Sequence, residues 1–205
     1  MLTAACMNLE LHSLITDSTD DDFDAIYPDH IRLLARKHWT PISVAKAAAQ
    51  FLVNRRGINV LDIGSGVGKF CMVGAALIPH GHFTGVEQRS ELVELSRTLS
   101  ASYQLTNTSY INANIISIDF RDFNGFYLYN SFFENVDPRN SIDQTIALST
   151  GFYITYGTHT SNKLSSLPSG VRLATYFTDE WVIPTNFELV DTQFKGNLKL
   201  WEKMY

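Results

Sequence analysis

The sequence is poor in cysteine, in long apolar runs and in charged residues. Its 205 residues include only two cysteines, Cys6 and Cys71, which are too few for a disulfide framework and favour a reducing compartment. Apolar runs end well before the roughly 18 residues that a membrane helix needs. Because no basic residue precedes the first apolar residues, a secretory signal is not expected either. These absences predict a soluble, cytoplasmic protein that does not enter a membrane.

Charged residues are few, and the net charge of the chain is negative. Sixteen lysines and arginines against 21 aspartates and glutamates give a formal net charge of −5. Hydrophobic residues make up 45% of the chain and charged residues 18%, which is enough to build a core and excludes global disorder. An acidic chain of this kind is a poor non-specific ligand for nucleic acid.

The length predicts one domain, since domains typically span roughly 100–200 residues. Residues 1–25 are expected to form an acidic N-terminal arm, solvated and mobile, and residues 26–205 the domain itself. Within that domain, residues 26–57 are predicted to hold N-terminal helices that form a lid over the site. Residues 58–205 are predicted to form the core.

From residue 58 onward, strand-like runs alternate with helical ones. The predicted strands are Ile58–Ile63, Phe83–Val86, a segment within Tyr110–Ile118, Gly125–Tyr129 and Phe152–Tyr156, and the predicted helices are Lys69–Ile78, Ser90–Ser100 and Asp137–Leu148. This rhythm indicates βαβ units in a parallel sheet covered on both faces. Phe187–Phe194 and Leu198–Met204 flank a Lys-Gly-Asn turn, which predicts a closing antiparallel hairpin. The stretch between Val171 and Ile183 fits either a strand or a loop.

The most informative motif is the glycine-rich turn Gly64-Ser65-Gly66-Val67-Gly68, which directly follows the first strand. Glycines let the backbone approach a ligand closely, and the helix that follows presents free N–H groups. A Walker loop is excluded, because Ile63 stands where that motif needs glycine and Phe70 follows Lys69. The turn is also one residue tighter than the G-x-G-x-x-G fingerprint of dinucleotide-binding proteins.

Glu87 is the second landmark, at the end of the second predicted strand. It lies 23 residues (87 − 64) after Gly64. A carboxylate near this spacing accepts hydrogen bonds from both hydroxyls of a ribose, and Gln88 can supplement it. The loop and the carboxylate together predict a nucleoside-binding site.

The segment from Asp62 to Gly68, followed by Gly85-Val86-Glu87, resembles the first two motifs of class I S-adenosylmethionine-dependent methyltransferases. By motif, the resemblance covers about residues 40–156. It implies a three-layer, Rossmann-like α/β fold whose sheet is mostly parallel with an antiparallel C-terminal hairpin. It also implies S-adenosylmethionine as the cofactor and S-adenosylhomocysteine as the product.

The resemblance assigns roles to residues of the loop and of the second strand. Gly64, Ser65 and Gly66 would contact the methionine part of the cofactor. Asp62 would organise the loop, while Glu87, with Gln88 beside it, would hold the ribose.

Further candidates follow the third and fourth strands. The resemblance implies that Asn114 and Ile115 flank the adenine, and Asn114 fits a simple turn residue equally well. Asn130 would form the floor near the transferred methyl and is the catalytic candidate. Phe132 and Phe133 would wall the acceptor pocket or pack as core aromatics.

Two aromatic residues and a threonine that precede the glycine-rich loop are candidates for the lid. Tyr27, Trp39 and Thr40 would shape the acceptor side, with simple packing as the alternative. No metal site is expected, because His80 and His82 lie in a Pro-Gly turn without the spacing of a helical zinc site.

The acceptor itself cannot be named from the sequence. The motif wording is closest to class I histone-lysine methyltransferases, which implies a protein side chain such as lysine, and a small molecule is also compatible. The negative charge favours either of these over RNA. Two alternatives stay open: a protein that binds S-adenosylmethionine without transferring its methyl, and an NAD-type oxidoreductase.

Overall fold

In the part of the chain that the structure describes, seven strands form one mixed sheet in the order β3-β2-β1-β4-β5-β7-β6. The computed structural model describes residues 4–205, with side chains from residue 10 onward, so residues 1–3 of the predicted arm and the Cys6 side chain lie outside it. The strands are β1 (Asn59–Ile63), β2 (His82–Glu87), β3 (Thr108–Asn112), β4 (Gly125–Tyr129), β5 (Arg172–Tyr176), β6 (Phe187–Gln193) and β7 (Leu198–Lys203). The first five run parallel, and the last two add an antiparallel hairpin next to β5.

Helices and short turns cover both faces of this sheet. The helices are α1 (Ala4–Asp17), α2 (Asp20–Asp24), α3 (Asp29–Arg32), α4 (Ala35–His38), α5 (Ile42–Leu52), α6 (Lys69–Leu77), α7 (Ser90–Ser102) and α8 (Thr150–Ser165). Buried side chains of α1, α5, α6 and α7 form one apolar cluster, and those of α8 belong to a second. The three-layer Rossmann-like architecture is therefore confirmed, and so is the antiparallel ending.

The strand order reverses direction beside β1. After β1 the chain adds β2 and β3 on one side, and it then crosses over to add β4 and β5 on the other. Ile63, the last residue of β1, lies opposite Val86 of β2 and Leu128 of β4. Ligands of open α/β sheets bind in the crevice beyond the carboxyl ends of the strands at such a reversal.

The N-terminal segment is a packed layer, and the expectation of a solvated, mobile arm is wrong for the described residues. Phe23 of α2 is fully buried. The ammonium of Lys69, itself almost fully buried, lies 2.7 Å from an Asp20 oxygen and 2.6 Å from an Asp24 oxygen. The acidic residues therefore neutralise a buried cation at the start of α6, and Thr19 caps α2 through a capping box.

The region after β4 also differs from the prediction. Residues 137–148 form no α-helix, and Phe152–Tyr156 lies within α8 instead of forming a strand. Aromatic and β-branched residues favour strands locally, but Ser149 caps α8, and Tyr156, Thr160 and Leu164 recur every four residues on its buried face. Tertiary packing overrides local propensity here, and the fifth strand is β5, within the stretch that fitted either a strand or a loop.

Helix α6, which follows the glycine-rich turn, approaches β2 closely and is thereby held against the sheet. A Cβ at Gly74 would lie 2.4 Å from a ring carbon of Phe83. Phe83 is fully buried and meets Phe70 edge-on, with ring centroids 6.0 Å apart. The ring therefore has little room to move away from a larger residue at position 74.

We expect Gly74→Ala to destabilise the protein by about 1–3 kcal/mol, since a methyl group forced into a packed core displaces its neighbours. Gly151→Ala is the matched control, because a Cβ there meets only the Ser149 hydroxyl at an ordinary 3.6 Å. That control should be neutral or slightly stabilising. Urea unfolding measures both, and equal stability of the two variants would contradict the packing assignment.

Candidate active site

A cavity of about 380 Å³ opens at the carboxyl edge of the sheet, where β1, β2 and β4 end. Its walls come from the glycine-rich loop after β1, from the end of β2, from residues 34–40 and from the segment that follows β4. Parallel strands deliver their carboxyl ends to one edge, so side chains far apart in sequence meet here.

The loop after β1 is held by hydrogen bonds to β2. The backbone N–H groups of Gly64 and Ser65 both donate to the Val86 carbonyl, each at 3.0 Å. Gly64 and Gly66 have φ values of +75° and +53°, a region that side chains disfavour. A Cβ at Gly66 would meet no atom within 4 Å, so the loop leaves open space beside its backbone.

Glu87 lies at the end of β2 and is buried, with 6% of its surface exposed. One carboxylate oxygen accepts a hydrogen bond from Gly66 N–H at 3.2 Å, and the other accepts from Arg89 N–H at 2.9 Å. Burial raises the pKa of this carboxyl, while the Arg89 N–H and guanidinium oppose that shift. A carboxylate has about four acceptor positions, so the geometry leaves capacity for two more donors.

Asp62 is a second buried carboxyl in the cavity wall. Its side-chain partner is the Cys71 thiol, whose sulfur lies 3.7 Å from a carboxyl oxygen. Burial raises the pKa of Asp62 to about 8; the Cys71 hydrogen bond works against this shift and the Glu87 charge adds to it. At neutral pH the Asp62 carboxyl therefore holds its proton. A ligand cation bound beside it would favour the ionised form.

Arg89 is a buried cation that sequence reasoning missed. Its guanidinium forms two hydrogen bonds to Glu134, at 2.8 and 3.1 Å, and a third to Asp143 at 2.9 Å. The same guanidinium lies 3.5 Å from a Glu87 oxygen. Three carboxylates, one from the end of β2 and two from the segment after β4, therefore share one arginine.

The N-terminal layer supplies another part of the wall. Trp39 and Thr40 line the cavity, and the Thr40 hydroxyl lies 3.0 Å from the Tyr127 hydroxyl. His38 lines it too and was not predicted. Burial lowers the pKa of His38, although the charge of Glu134 opposes this, so the imidazole is neutral at physiological pH.

The segment after β4 brings together most of the predicted acceptor-side residues. Asn130, Phe132 and Phe133 all line the cavity. Asn130 has φ +46°, a left-handed conformation that asparagine tolerates better than most residues. The hydroxyl oxygen of Ser131, missed from sequence, is buried in this wall and has no hydrogen-bond partner within the part of the chain that the structure describes.

Two predicted residues lie outside the cavity wall. Asn114 donates to the Gln88 side chain and to the Tyr156 hydroxyl, both at 2.9 Å, and caps a short turn by accepting from Ile116 N–H. Its neighbour Ile115 and the loop residue Gln88 do line the cavity. Tyr27 packs against Trp39, with ring centroids 4.5 Å apart, and does not line the cavity itself.

Two negative findings concern only the described residues. Among their side chains, no group of three or more histidines, cysteines or acidic residues could hold a metal ion. Within the same part of the chain, no helix combines the length and the apolar character needed to cross a membrane.

Comparison with known proteins identifies the domain. Residues 54–147 match the family described as methyltransferase domain, whereas no curated protein matches the chain. Similar solved structures include an RNA methyltransferase from Salinibacter ruber in complex with S-adenosyl-L-homocysteine (15% identity, 80% of this chain and 93% of that one, TM-score 0.57). A precorrin-6y C5,15-methyltransferase from Geobacter metallireducens (13%, 83% and 92%, 0.56) and an S-adenosylmethionine-dependent O-methyltransferase from Thermotoga maritima (19%, 87% and 72%, 0.54) share the fold.

These comparisons correct the expectation about the acceptor. The net charge of −5 predicts a protein or a small molecule in preference to RNA, yet an RNA methyltransferase is among the proteins with this fold. Net charge is a property of the whole surface and does not decide what enters one cavity. The preference against RNA is therefore wrong.

The alternative of an NAD-type oxidoreductase finds no support. The matched domain, the strand order and the fold shared with known methyltransferases agree with the motifs of the loop and of β2. Residues 54–147 therefore match a methyltransferase domain, and the chain has the fold of S-adenosylmethionine-dependent methyltransferases.

Proposed function

We propose that the cavity binds S-adenosylmethionine with its ribose on Glu87 and its methionine part along Gly64, Ser65 and Gly66, and that Asn130 stands beside the methyl. The observation that carries this proposal is the Glu87 carboxylate, buried in the cavity wall with each oxygen already fixed by a backbone N–H. A carboxylate fixed in this way gains two ribose hydroxyls without losing its present partners.

The chemistry of the wall fits this cofactor. S-adenosylmethionine carries an ammonium and a sulfonium, and the cavity contains two buried carboxyls, Asp62 and Glu87. The buried Ser131 hydroxyl has an unused hydrogen-bonding capacity at the same wall. A volume of about 380 Å³ lies within the usual range for a site that holds a ligand of this kind. Ile115 supplies an apolar surface for the adenine, with Gln88 beside it.

When bound, S-adenosylmethionine supplies an electrophilic methyl group whose leaving thioether needs no acid. The main task of the chain is then to align the acceptor and to exclude water. Trp39 and Phe132, both buried, provide the apolar walls, and the Asn130 amide offers a hydrogen bond to the acceptor.

An acceptor with an N–H or O–H group must also lose a proton, and His38 is the residue that can take it. His38 lines the cavity together with Asn130. Since burial lowers its pKa, it is present in the neutral form that a general base requires. The proposed reaction is methyl transfer to a nucleophile that enters between His38 and Asn130.

A cytoplasmic location is part of this proposal. Its support is the scarcity of cysteine and the free, buried thiol of Cys71.

We expect Glu87→Ala to weaken binding of S-adenosylhomocysteine by about ten- to a hundredfold, since a charge-assisted hydrogen bond contributes roughly 1.5–3 kcal/mol. Isothermal titration calorimetry measures this, with Glu91→Ala as the control because Glu91 is exposed on α7. NAD serves as the comparison ligand. Unchanged affinity in a folded Glu87→Ala variant would remove the ribose assignment.

Asn130→Ala should reduce the rate of methyl transfer at least about tenfold while changing cofactor affinity much less, because alignment acts mainly on the transition state. The assay follows methyl-labelled S-adenosylmethionine in a cell extract and assigns the label by nuclease, protease and size fractionation. Asn54→Ala, an exposed position after α5, is the control. If Asn130→Ala and the parent transfer label equally fast, the residue only caps the end of β4.

The raised pKa of Asp62 predicts a pH-dependent stability. The folded state holds the Asp62 proton up to pH about 8, whereas an ordinary aspartate releases it near 3.8, so this group makes folding less favourable as pH rises between these values. Without cofactor, the thermal midpoint should therefore fall more between pH 5 and pH 8 in the parent than in Asp62→Asn. Parallel pH profiles of the two proteins would contradict the burial of an uncompensated carboxyl.

A further inference from the structure

The segment between β4 and α8 has little regular secondary structure, although it lines a large part of the cavity. Residues 130–145, which we call the acceptor wall, contain only two short 3₁₀ turns, Phe133–Asn135 and Pro138–Asn140. They nevertheless supply a large part of the cavity lining, including Asn130 and Ile142. Regular hydrogen bonding does not hold such a segment in place, so its order depends on side-chain anchors.

Arg89 is the charged anchor of the acceptor wall. Only 5% of its surface is exposed, and it binds Glu134 through a bidentate pair and Asp143 through its Nε. Within the described residues, no other ion pair joins the acceptor wall to the rest of the molecule, since Asp137 pairs with Arg139 inside it. The contact of Lys37 with Asn140, at 2.5 Å, lies at the exposed rim.

The same side chain also reaches the ribose carboxylate. An Arg89 Nη1 atom lies 3.5 Å from the Glu87 oxygen that accepts the Arg89 backbone N–H. One guanidinium therefore faces three carboxylates, and attraction to Glu87 competes with attraction to Glu134 and Asp143. In a buried site, charges interact more strongly than they do in water, so a change at one carboxylate affects the other two.

We propose that Arg89 is a positioning residue that couples occupation of the ribose site to the order of the acceptor wall. The inference rests on the proposed binding of the cofactor ribose by Glu87. Hydroxyls that donate to Glu87 offset part of its negative charge, and the guanidinium then pairs more completely with Glu134 and Asp143. Binding of the cofactor thereby tightens the wall against which the acceptor is aligned.

The coupling has a consequence for the order of binding. Linkage makes this coupling reciprocal. If bound cofactor raises the affinity for the acceptor by some factor, bound acceptor raises the affinity for the cofactor by the same factor. A cofactor-bound protein therefore presents a formed acceptor site, whereas the free protein presents a looser one.

Hydrogen–deuterium exchange tests this with S-adenosylhomocysteine, so no acceptor is needed. Saturating ligand should slow exchange of amides within residues 131–145 by about five- to a hundredfold in the parent. In Glu134→Gln, which leaves Arg89 and Glu87 unchanged, the slowing should be lost. Arg89→Lys keeps the charge but not the bidentate fork, and it should also lose the slowing.

Controls separate the possible outcomes. Glu202→Gln removes one carboxylate from another arginine pair, with Arg172, on β7 and β5 away from the cavity, so it should behave like the parent. Asp143→Asn replaces any variant that fails to fold. Calorimetry first establishes saturation for each protein, and absence of ligand binding to the parent would refute the proposed function itself. The role of Arg89 would be overturned if bound ligand slowed exchange equally in the parent and in Glu134→Gln. It would also be overturned if bound ligand slowed exchange in neither protein.

Discussion

The hydrogen bonds between the loop after β1 and the end of β2 are the constraint on which the site depends. Gly64 and Ser65 donate to Val86, and Gly66 donates to Glu87, so the backbone of one motif fixes the carboxylate of the other. The loop can make these contacts only by adopting left-handed conformations, which glycine allows. The start of α6, the orientation of Glu87 and the open space of the cavity all follow from this arrangement.

Lys69 extends this constraint to the N-terminal layer. It is the first residue of α6, and its buried ammonium pairs with Asp20 and Asp24 of α2. Asp20 also accepts a hydrogen bond from Ile42 N–H at the start of α5, so the same carboxylate joins three elements. Because Trp39 and Thr40, which line the cavity, lie just before α5, the glycine-rich loop and the N-terminal part of the cavity wall are held by one ion cluster.

Local patterns in the sequence predicted what is local in the structure. The first four strands, α6, α7 and the final hairpin follow from short apolar runs and turn residues, and the spacing from Gly64 to Glu87 predicted two residues that do line one cavity. The packing of the N-terminal layer could not be predicted from local patterns, because Lys69, the partner of Asp20, is 49 positions away in the sequence. The Arg89 network was hidden for the same reason, with partners 45 and 54 positions along the chain. Helix α8 was mistaken for a strand because packing against the sheet outweighs its β-branched and aromatic composition.

We propose that Glu87 receives the cofactor ribose within the cavity at the strand reversal. A crystal structure of the protein with S-adenosylhomocysteine tests it most directly. We expect both ribose hydroxyls within hydrogen-bond distance of the Glu87 carboxylate, the methionine part along Gly64–Gly66 and the sulfur facing Asn130. A nucleoside bound away from Glu87, or a ribose held by other side chains, would contradict it.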